Sequence, residues 1–141
     1  MPKIDNRECI YLAGGATHNP EFAVDWREKA SLLLPDYRCL SPFRGKKLDT
    51  SGKWDVFEQN EIVMRDLHDI SRSRLVLAEM MIDGYNYIGT SMEIRTAAER
   101  GIPVVMWTEK FSNHYWIRFH TVKCLPTLEE CCNYINTYWG E

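Results

Sequence analysis

The sequence predicts an α/β fold, a doubly wound and mostly parallel sheet of four to five strands with helices on both faces. Short apolar runs alternate along the chain with segments whose apolar residues recur at three- and four-residue spacing, as in amphipathic helices. Such alternation places parallel strands side by side, with the connecting helices on the two faces of the sheet. The length of 141 residues suits a single domain spanning 1–141 that buries a real core.

The charge and composition of the chain argue against several classes of protein. A net charge of −3 provides no basic field for a nucleic acid polymer, although one local site can still bind a free nucleotide. No apolar run approaches the roughly 20 residues that span a bilayer, and the N-terminus lacks the apolar segment of a signal peptide. The five cysteines show no Cys-x-x-Cys spacing, and the four histidines show no metal-ligand spacing. We therefore expect a cytoplasmic protein with reduced thiols, no membrane partner, no metal and no cofactor.

The chain opens with a strand, a turn and a helix. Cys9 to Ala13 form a short apolar strand that ends at Gly14 and Gly15. Asn19 followed by Pro20 is typical of a helix N-cap with proline at the first helical position. This order is the start of a βα unit.

The remaining elements follow the same alternation. They are a strand at 37–40, a polar loop at 44–53, a helix from an Asp55/Glu58 capping box to about Ser71, a strand at 75–78, a helix at 90–100 ended by Gly101, a strand at 103–107, an aromatic-rich loop at 109–118, a short strand at 120–124 and a final helix after a capping box at 127–130. On the second helix a mostly apolar stripe contains Val56, Asn60, Val63, Leu67 and Ile70.

The stretch from Ile82 to Glu93 is the first candidate for a ligand site. It joins a buried strand to a helix, and open α/β sheets bind ligands at the carboxyl ends of their strands. Glu93 has two interpretations. It completes a capping-box pattern with Thr90, or it is an active-site carboxylate accompanied by Asp66 and Asp83 for acid, base or nucleophile roles.

Asp66 and Tyr11 also have two interpretations each. Ile62, Val63 and Ile70 share a helix face with Asp66, so its carboxylate lies at or beside the buried side. It is either a boundary residue that reaches solvent or pairs with Arg65 or Arg72, or a functional group that needs partners. Tyr11 is either a half-buried strand tyrosine or part of the site.

Two glycine turns are candidate ligand contacts. Gly14-Gly15 can offer backbone amides to a phosphate or a sugar hydroxyl, and Gly89 with Ser91 lies at a helix N-terminus suited to an anion. Ordinary tight turns remain the alternative for both. The Rossmann and Walker A glycine patterns are absent from the sequence, which argues against dinucleotide or NTP binding by those mechanisms.

An ordered set of motifs resembles the nucleoside 2-deoxyribosyltransferase family, over residues 10 to about 107. The motifs are Ile10-Tyr11-Leu12-Ala13-Gly14, Trp26-Arg27, Leu40-Ser41-Pro42-Phe43-Arg44, Arg65-Asp66-Leu67, Gly89-Thr90-Ser91-Met92-Glu93-Ile94 and Gly101-Ile102-Pro103-Val104-Val105.

The resemblance implies a flavodoxin-like fold and cleavage of the N-glycosidic bond of a nucleoside or nucleotide. It implies that Glu93 attacks the anomeric carbon and forms a glycosyl-enzyme ester, which another base or water resolves. It places Asp66 in orienting the sugar or assisting the base, and Tyr11 in holding the nucleophile. Carboxylates suit this chemistry because they split one difficult substitution into two easier steps.

One position departs from the family pattern. The transferases of that family carry an aspartate six residues before the nucleophile, where this chain has Tyr87. Either Asp83 or Asn86 then takes the place of that aspartate, or the base is bound in a different way. Related branches hydrolyse nucleoside 5′-monophosphates, and a nucleotide-binding module without turnover is a third hypothesis. The resemblance also implies a homodimer or larger homo-oligomer, with the loop at 111–119 as the candidate contact.

Overall fold

The computed structural model describes residues 4–16, 19–43 and 56–140. Its elements are β1 (Cys9–Ala13), α1 (Pro20–Leu33), β2 (Arg38–Leu40), α2 (Val56–Ser71), β3 (Ser73–Glu79), α3 (Ile88–Glu99), β4 (Val104–Trp107), α4 (Tyr115–His120), β5 (Lys123–Leu125) and α5 (Leu128–Tyr138). The predicted polar loop at 44–53 and Asp55 of the predicted capping box lie outside the described residues.

The five strands form one parallel sheet in the order β2-β1-β3-β4-β5, which confirms the predicted flavodoxin-like α/β class. The chain first moves from β1 to β2 at one edge and then returns to β3 on the other side of β1. The direction of winding therefore reverses between β1 and β3. In open α/β sheets, the crevice beyond the carboxyl ends of two such strands is the usual ligand site.

Two apolar cores cover the two faces of the sheet. One core contains α1 and α5 together with Ile10 and Leu12 of β1. The other contains α2 and α3 together with Tyr11 and Ala13. Because successive strand residues point to opposite faces, the sequence period of β1 directs Tyr11 toward the helices that carry Asp66 and Glu93.

The helix starts combine correct and incorrect predictions. Asn19 caps α1, since its side chain accepts a hydrogen bond from the backbone amide of Phe22, and Thr127 caps α5 through the amide of Glu130. The third helix begins at Ile88 rather than at Thr90.

The segment predicted as a loop at 109–118 contains the start of α4, and the short strand lies at Lys123–Leu125 rather than at 120–124. A six-residue helix is too short to show an apolar period, so the sequence carried no helical signal there. On α2, Val63 of the predicted apolar stripe is exposed, whereas Ile70 is fully buried.

All five cysteines are free thiols. Within the described ranges, no group of three or more potential metal ligands is assembled. No helix in that part of the chain is both long and apolar enough to cross a membrane.

Candidate active site

Tyr11 and Glu93 meet at the carboxyl end of β1. The Tyr11 hydroxyl donates a hydrogen bond of 2.5 Å to Oε2 of Glu93, which lies in the second turn of α3. Tyr11 is buried. Its burial, together with the negative charges of Glu93 and Asp66, raises the pKa of the phenol far above its usual range. Tyr11 is therefore a permanent donor that fixes the Glu93 carboxylate.

The pKa of the Glu93 carboxyl group lies close to neutral pH. Burial raises the pKa of its carboxyl group to about 7, and the charge of Asp66 adds to that increase. The Tyr11 hydrogen bond and the charge of Arg27 act in the opposite direction. A carboxyl group with this pKa has substantial populations of both forms at neutral pH, as proton-transfer and nucleophilic roles require.

The capping-box interpretation of Glu93 is wrong. Tyr87 is the N-cap of α3, and it makes no side-chain capping bond. Thr90 lies buried inside the first turn of the helix. The Glu93 carboxylate accepts a hydrogen bond from Tyr11 instead, and its role in an active site stays a prediction.

Asp66 belongs to the same electrostatic group. It lies half-buried on α2, which packs against α3. Its charge raises the pKa values of both Glu93 and Tyr11. Of the two arginines proposed as its surface partners, Arg72 instead pairs with Asp69 at 3.1 Å.

Glu79 is a site residue that sequence reasoning missed. It ends β3 with 0% exposure and accepts hydrogen bonds from the Gly15 amide (3.1 Å), the Met81 amide (2.7 Å) and the Tyr87 hydroxyl (2.5 Å). One buried carboxylate thus joins the turn after β1 to the loop after β3. The available signal was a carboxylate directly after the apolar run of a central strand, where a buried charge needs several donors.

Tyr87 is an internal support of the loop after β3. Its side chain is buried, and its hydroxyl donates to Glu79 while accepting from the Ile82 amide at 2.8 Å. Its backbone is left-handed, with φ 50°, which costs a non-glycine residue about 1–3 kcal/mol. The hydroxyl that replaces the family's aspartate is therefore committed to the protein interior.

Gly14 and Gly15 permit this close packing. A Cβ on Gly14 would lie 2.9 Å from Oε1 of Glu79, and one on Gly15 would lie 3.0 Å from the ring of Tyr85. The Gly15 amide already donates to Glu79. Close approach between protein segments therefore accounts for the absence of side chains at both positions, and ligand contact by these residues stays a prediction.

The other residues that were predicted to contact substrate are Asp83, Asn86, Gly89 and Ser91. Asp83 is exposed and paired with Lys110, and it is not among the charges that shift the pKa of Glu93. The Asn86 side chain accepts from the Ile88 amide at 3.0 Å and so supports the start of α3. Gly89 and Ser91 are exposed in the first turn of α3, and their contact with substrate stays a prediction.

Arg27 is a second residue that the predicted site did not include. The residue as a whole is 2% exposed. The centre of its guanidinium group lies 4.7 Å from the ring centroid of Trp26 and 4.9 Å from that of Phe43. The motif residues Trp26 and Phe43 thus enclose a cation.

Comparison with solved structures identifies proteins of the same fold. No protein-family model and no curated protein sequence matches the chain. A 2-deoxyribosyltransferase from Bacillus psychrosaccharolyticus matches with a TM-score of 0.72 at 20% identity, covering 89% of this chain and 91% of that protein. A conserved protein from Enterococcus faecalis matches with a TM-score of 0.67 at 20% identity (93% and 98% covered).

A CMP N-glycosidase from Clostridium botulinum has the same architecture. Its TM-score is 0.59 at 16% identity, with 93% of this chain and 99% of that protein covered. This chain therefore has the fold of solved structures that include a deoxyribosyltransferase and an N-glycosidase, as the sequence resemblance implied.

Proposed function

We propose that this protein is an enzyme that cleaves the N-glycosidic bond of a nucleoside or deoxynucleoside, with Glu93 as the nucleophile. The main support is the hydrogen bond between Tyr11 and Glu93 beside Asp66, near the point where the direction of winding reverses. The partner is a small molecule, and it binds at the carboxyl ends of β1 and β3.

The residues suit a double displacement. In the first step, an oxygen of ionised Glu93 bonds to the anomeric carbon while the bond from that carbon to the base nitrogen breaks. The base leaves with the bonding electrons and takes up a proton from water, while Asp66 helps to orient the sugar. Tyr11 orients the carboxylate through its hydrogen bond. In the second step, a base nitrogen or water attacks the same carbon and releases Glu93.

Hydrolysis of a nucleoside 5′-monophosphate is the second candidate function. The structural likeness to a CMP N-glycosidase over nearly the whole chain favours it. Gly15 is a weak phosphate ligand in this candidate because Glu79 occupies its amide. The predicted hydroxyl contact, Ser91, is exposed at the start of α3.

A substrate panel read by chromatography separates the candidates. Deoxynucleosides with and without an acceptor base, and nucleoside 5′-monophosphates, are incubated with wild type, Glu93→Gln and Glu99→Gln. Glu99 provides the matched control because it is an exposed glutamate of the same helix, paired with Arg95. We expect loss of at least about 10³-fold in rate for Glu93→Gln and none for Glu99→Gln.

The covalent step has its own readout. Mass spectrometry of wild type quenched during turnover should find one sugar residue added to the peptide that contains Glu93. Base release that persists in Glu93→Gln would overturn the assignment. Ligand-induced thermal stabilisation that is equal in both proteins, without any product, would instead support the binding module.

We further infer that the chain forms a homo-oligomer through α4. Three large aromatic side chains of this short helix are exposed, Tyr115 by 73%, Trp116 by 60% and Phe119 by 78%. Contiguous apolar surface of this kind is typical of protein interfaces, and aromatic residues are enriched there. Because α4 packs against α3, such an interface would adjoin the helix that carries Glu93.

A further inference from the structure

Arg27 is a buried cation at the carboxyl end of β1. It projects from α1 and donates hydrogen bonds to four backbone carbonyl oxygens, those of Leu12 (3.2 Å), Gly14 (3.2 Å), Gly15 (3.3 Å) and Ala23 (2.9 Å). Three of these carbonyls, those of Leu12, Gly14 and Gly15, lie in the segment that directly follows Tyr11. The guanidinium group thus fixes the backbone immediately after the residue that holds Glu93.

Aromatic rings contact the flat guanidinium group of Arg27, in addition to the carbonyl oxygens that its N–H groups reach. Trp26 precedes it on α1, and Phe43 reaches it from the segment that follows β2. Arginine is suited to such a position because it combines a rigid fork of donors with a flat face for aromatic stacking. The position and direction of its charge are therefore defined by three separate segments of the chain.

The described groups that interact electrostatically with Arg27 come from four elements. They are Tyr11 of β1, Asp66 of α2, Glu79 of β3 and Glu93 of α3. Burial lowers the pKa of Arg27 to about 10, and these neighbours oppose that decrease. Arg27 is consequently charged at neutral pH. Its positive charge in turn favours ionised Glu93, against the combined effect of burial and Asp66.

We propose that Arg27 is a positioning residue of this site, a fixed cation that holds the turn at Gly14 and Gly15 and stabilises the ionised carboxylate of Glu93. The proposal rests on the proposed function for the importance of that ionised form. A clamp that acts only on the backbone is the competing explanation. The two differ in one respect, because a purely structural clamp has no effect on the pH at which Glu93 titrates.

The direct test is the titration of Glu93 in protein labelled with carbon-13 at glutamate carboxyls, with the Glu93 signal assigned by its loss in Glu93→Gln. We expect the midpoint of about 7 in wild type to rise by about one pH unit in Arg27→Gln. Arg27→Lys keeps the charge and should stay within about half a unit of wild type. Arg95→Gln is the matched control, since it removes an exposed arginine from α3 that pairs with Glu99, and its midpoint should not change.

Activity provides the second readout. If about one unit is added to the midpoint, Arg27→Gln loses close to tenfold in kcat/KM at pH 6 and approaches wild type above pH 9. A backbone clamp would instead lower activity by the same factor at every pH. The carbon-13 titration requires no turnover, so a failure of the proposed reaction leaves the test of Arg27 intact.

An unchanged Glu93 midpoint in folded Arg27→Gln would overturn the proposal. If that variant does not fold, Arg27→Met supplies a neutral side chain of similar length and the same expectation. If neither neutral variant folds, Arg27→Lys decides: a midpoint raised by a full unit although the positive charge is retained would also overturn the proposal.

Discussion

The proposed attack on carbon requires the negative charge of Glu93, but the surroundings of this residue oppose that charge. Burial and Asp66 raise its pKa to about 7, while Tyr11 and Arg27 lower it. A wholly exposed glutamate would ionise more readily and would be a poorer nucleophile, because water would solvate its oxygens. The balance of these four influences is the property of the site most open to measurement.

The first prediction concerns pH and activity. Because only ionised Glu93 attacks, kcat/KM should increase close to tenfold per pH unit below about 7 and level off above it. A pH–rate profile of the best substrate from the panel measures this. In Tyr11→Phe the rising limb should move to higher pH, since the lost hydrogen bond normally lowers the pKa of Glu93. A limb centred near 4.5 in wild type would contradict the prediction.

The second prediction concerns pH and stability. The folded-state pKa of Glu93 is raised from 4.5 to about 7, so its contribution to stability is complete below pH 4.5 and is lost as pH rises through 7. The loss is on the order of 2–3 kcal/mol in the free energy of unfolding. Urea titrations at pH 5 and pH 8 measure it. Glu93→Gln should lack this part of the decrease and be more stable than wild type at pH 8; equal stabilities at pH 8 would contradict the prediction.

Single residues were predictable only where a motif carried them. Glu93, Asp66 and Tyr11 occupy positions that ordered family motifs identify, and the geometry joins Glu93 directly to Tyr11. Glu79 and Arg27 were not identified as site residues. Their roles arise from hydrogen bonds to backbone atoms of distant segments, and a sequence pattern does not report which backbone groups a side chain will reach.

The loops after β1 and β3 are the elements that shape the site. Glu79 and Tyr87 tie them together, and the side-chain-free turn at Gly14 allows the contact. The start of α3 was predicted two residues late. Its N-cap is Tyr87, whose backbone is left-handed and whose side chain makes no capping hydrogen bond, so it has none of the usual properties of an N-cap residue. Strands and long helices were predictable from apolar period, whereas this local strain depends on tertiary hydrogen bonds.

The third prediction compares two glycines of the candidate site. Gly14→Ala should destabilise the protein by about 1–3 kcal/mol, because its Cβ would meet Glu79 and Trp26 at 2.9 and 3.0 Å. Gly89→Ala should be neutral or stabilise by roughly 0.5 kcal/mol, because nothing lies within 4 Å and the position is helical. Thermal and urea unfolding measure both variants.

The same pair tests the predicted substrate contact at Gly89. If substrate occupies the open space beside this glycine, Gly89→Ala should lower kcat/KM severalfold while it retains wild-type stability. Full activity in stable Gly89→Ala would remove Gly89 from the substrate contacts.

At the scale of the molecule, the sheet and its two helical layers were predictable. Strand-like and helix-like segments alternate along the sequence, and the rules for crossover connections then allow few topologies. The helical form of α4 was not predictable, since its sequence was assigned to a loop, although the same aromatic-rich segment was already the candidate contact. The three-dimensional structure is needed to see which apolar residues the fold leaves exposed.

The fourth prediction addresses assembly. Phe119→Asp should convert an oligomer into a monomer of 16.6 kDa, because it places a charge in the centre of the exposed α4 face. Light scattering during size-exclusion chromatography measures the mass. Tyr138→Asp is the matched control, an aromatic residue of α5 with 72% exposure. A wild-type monomer with full activity would refute the proposed interface.

The Tyr11–Glu93 hydrogen bond joins positions 82 residues apart in the chain. Between the two residues the chain runs through α1, β2, α2 and β3. A fragment that ends before α3 therefore contains Tyr11 but not Glu93. The donor and the proposed nucleophile become neighbours only through the long-range packing of α3 against β1, so local folding alone does not assemble them.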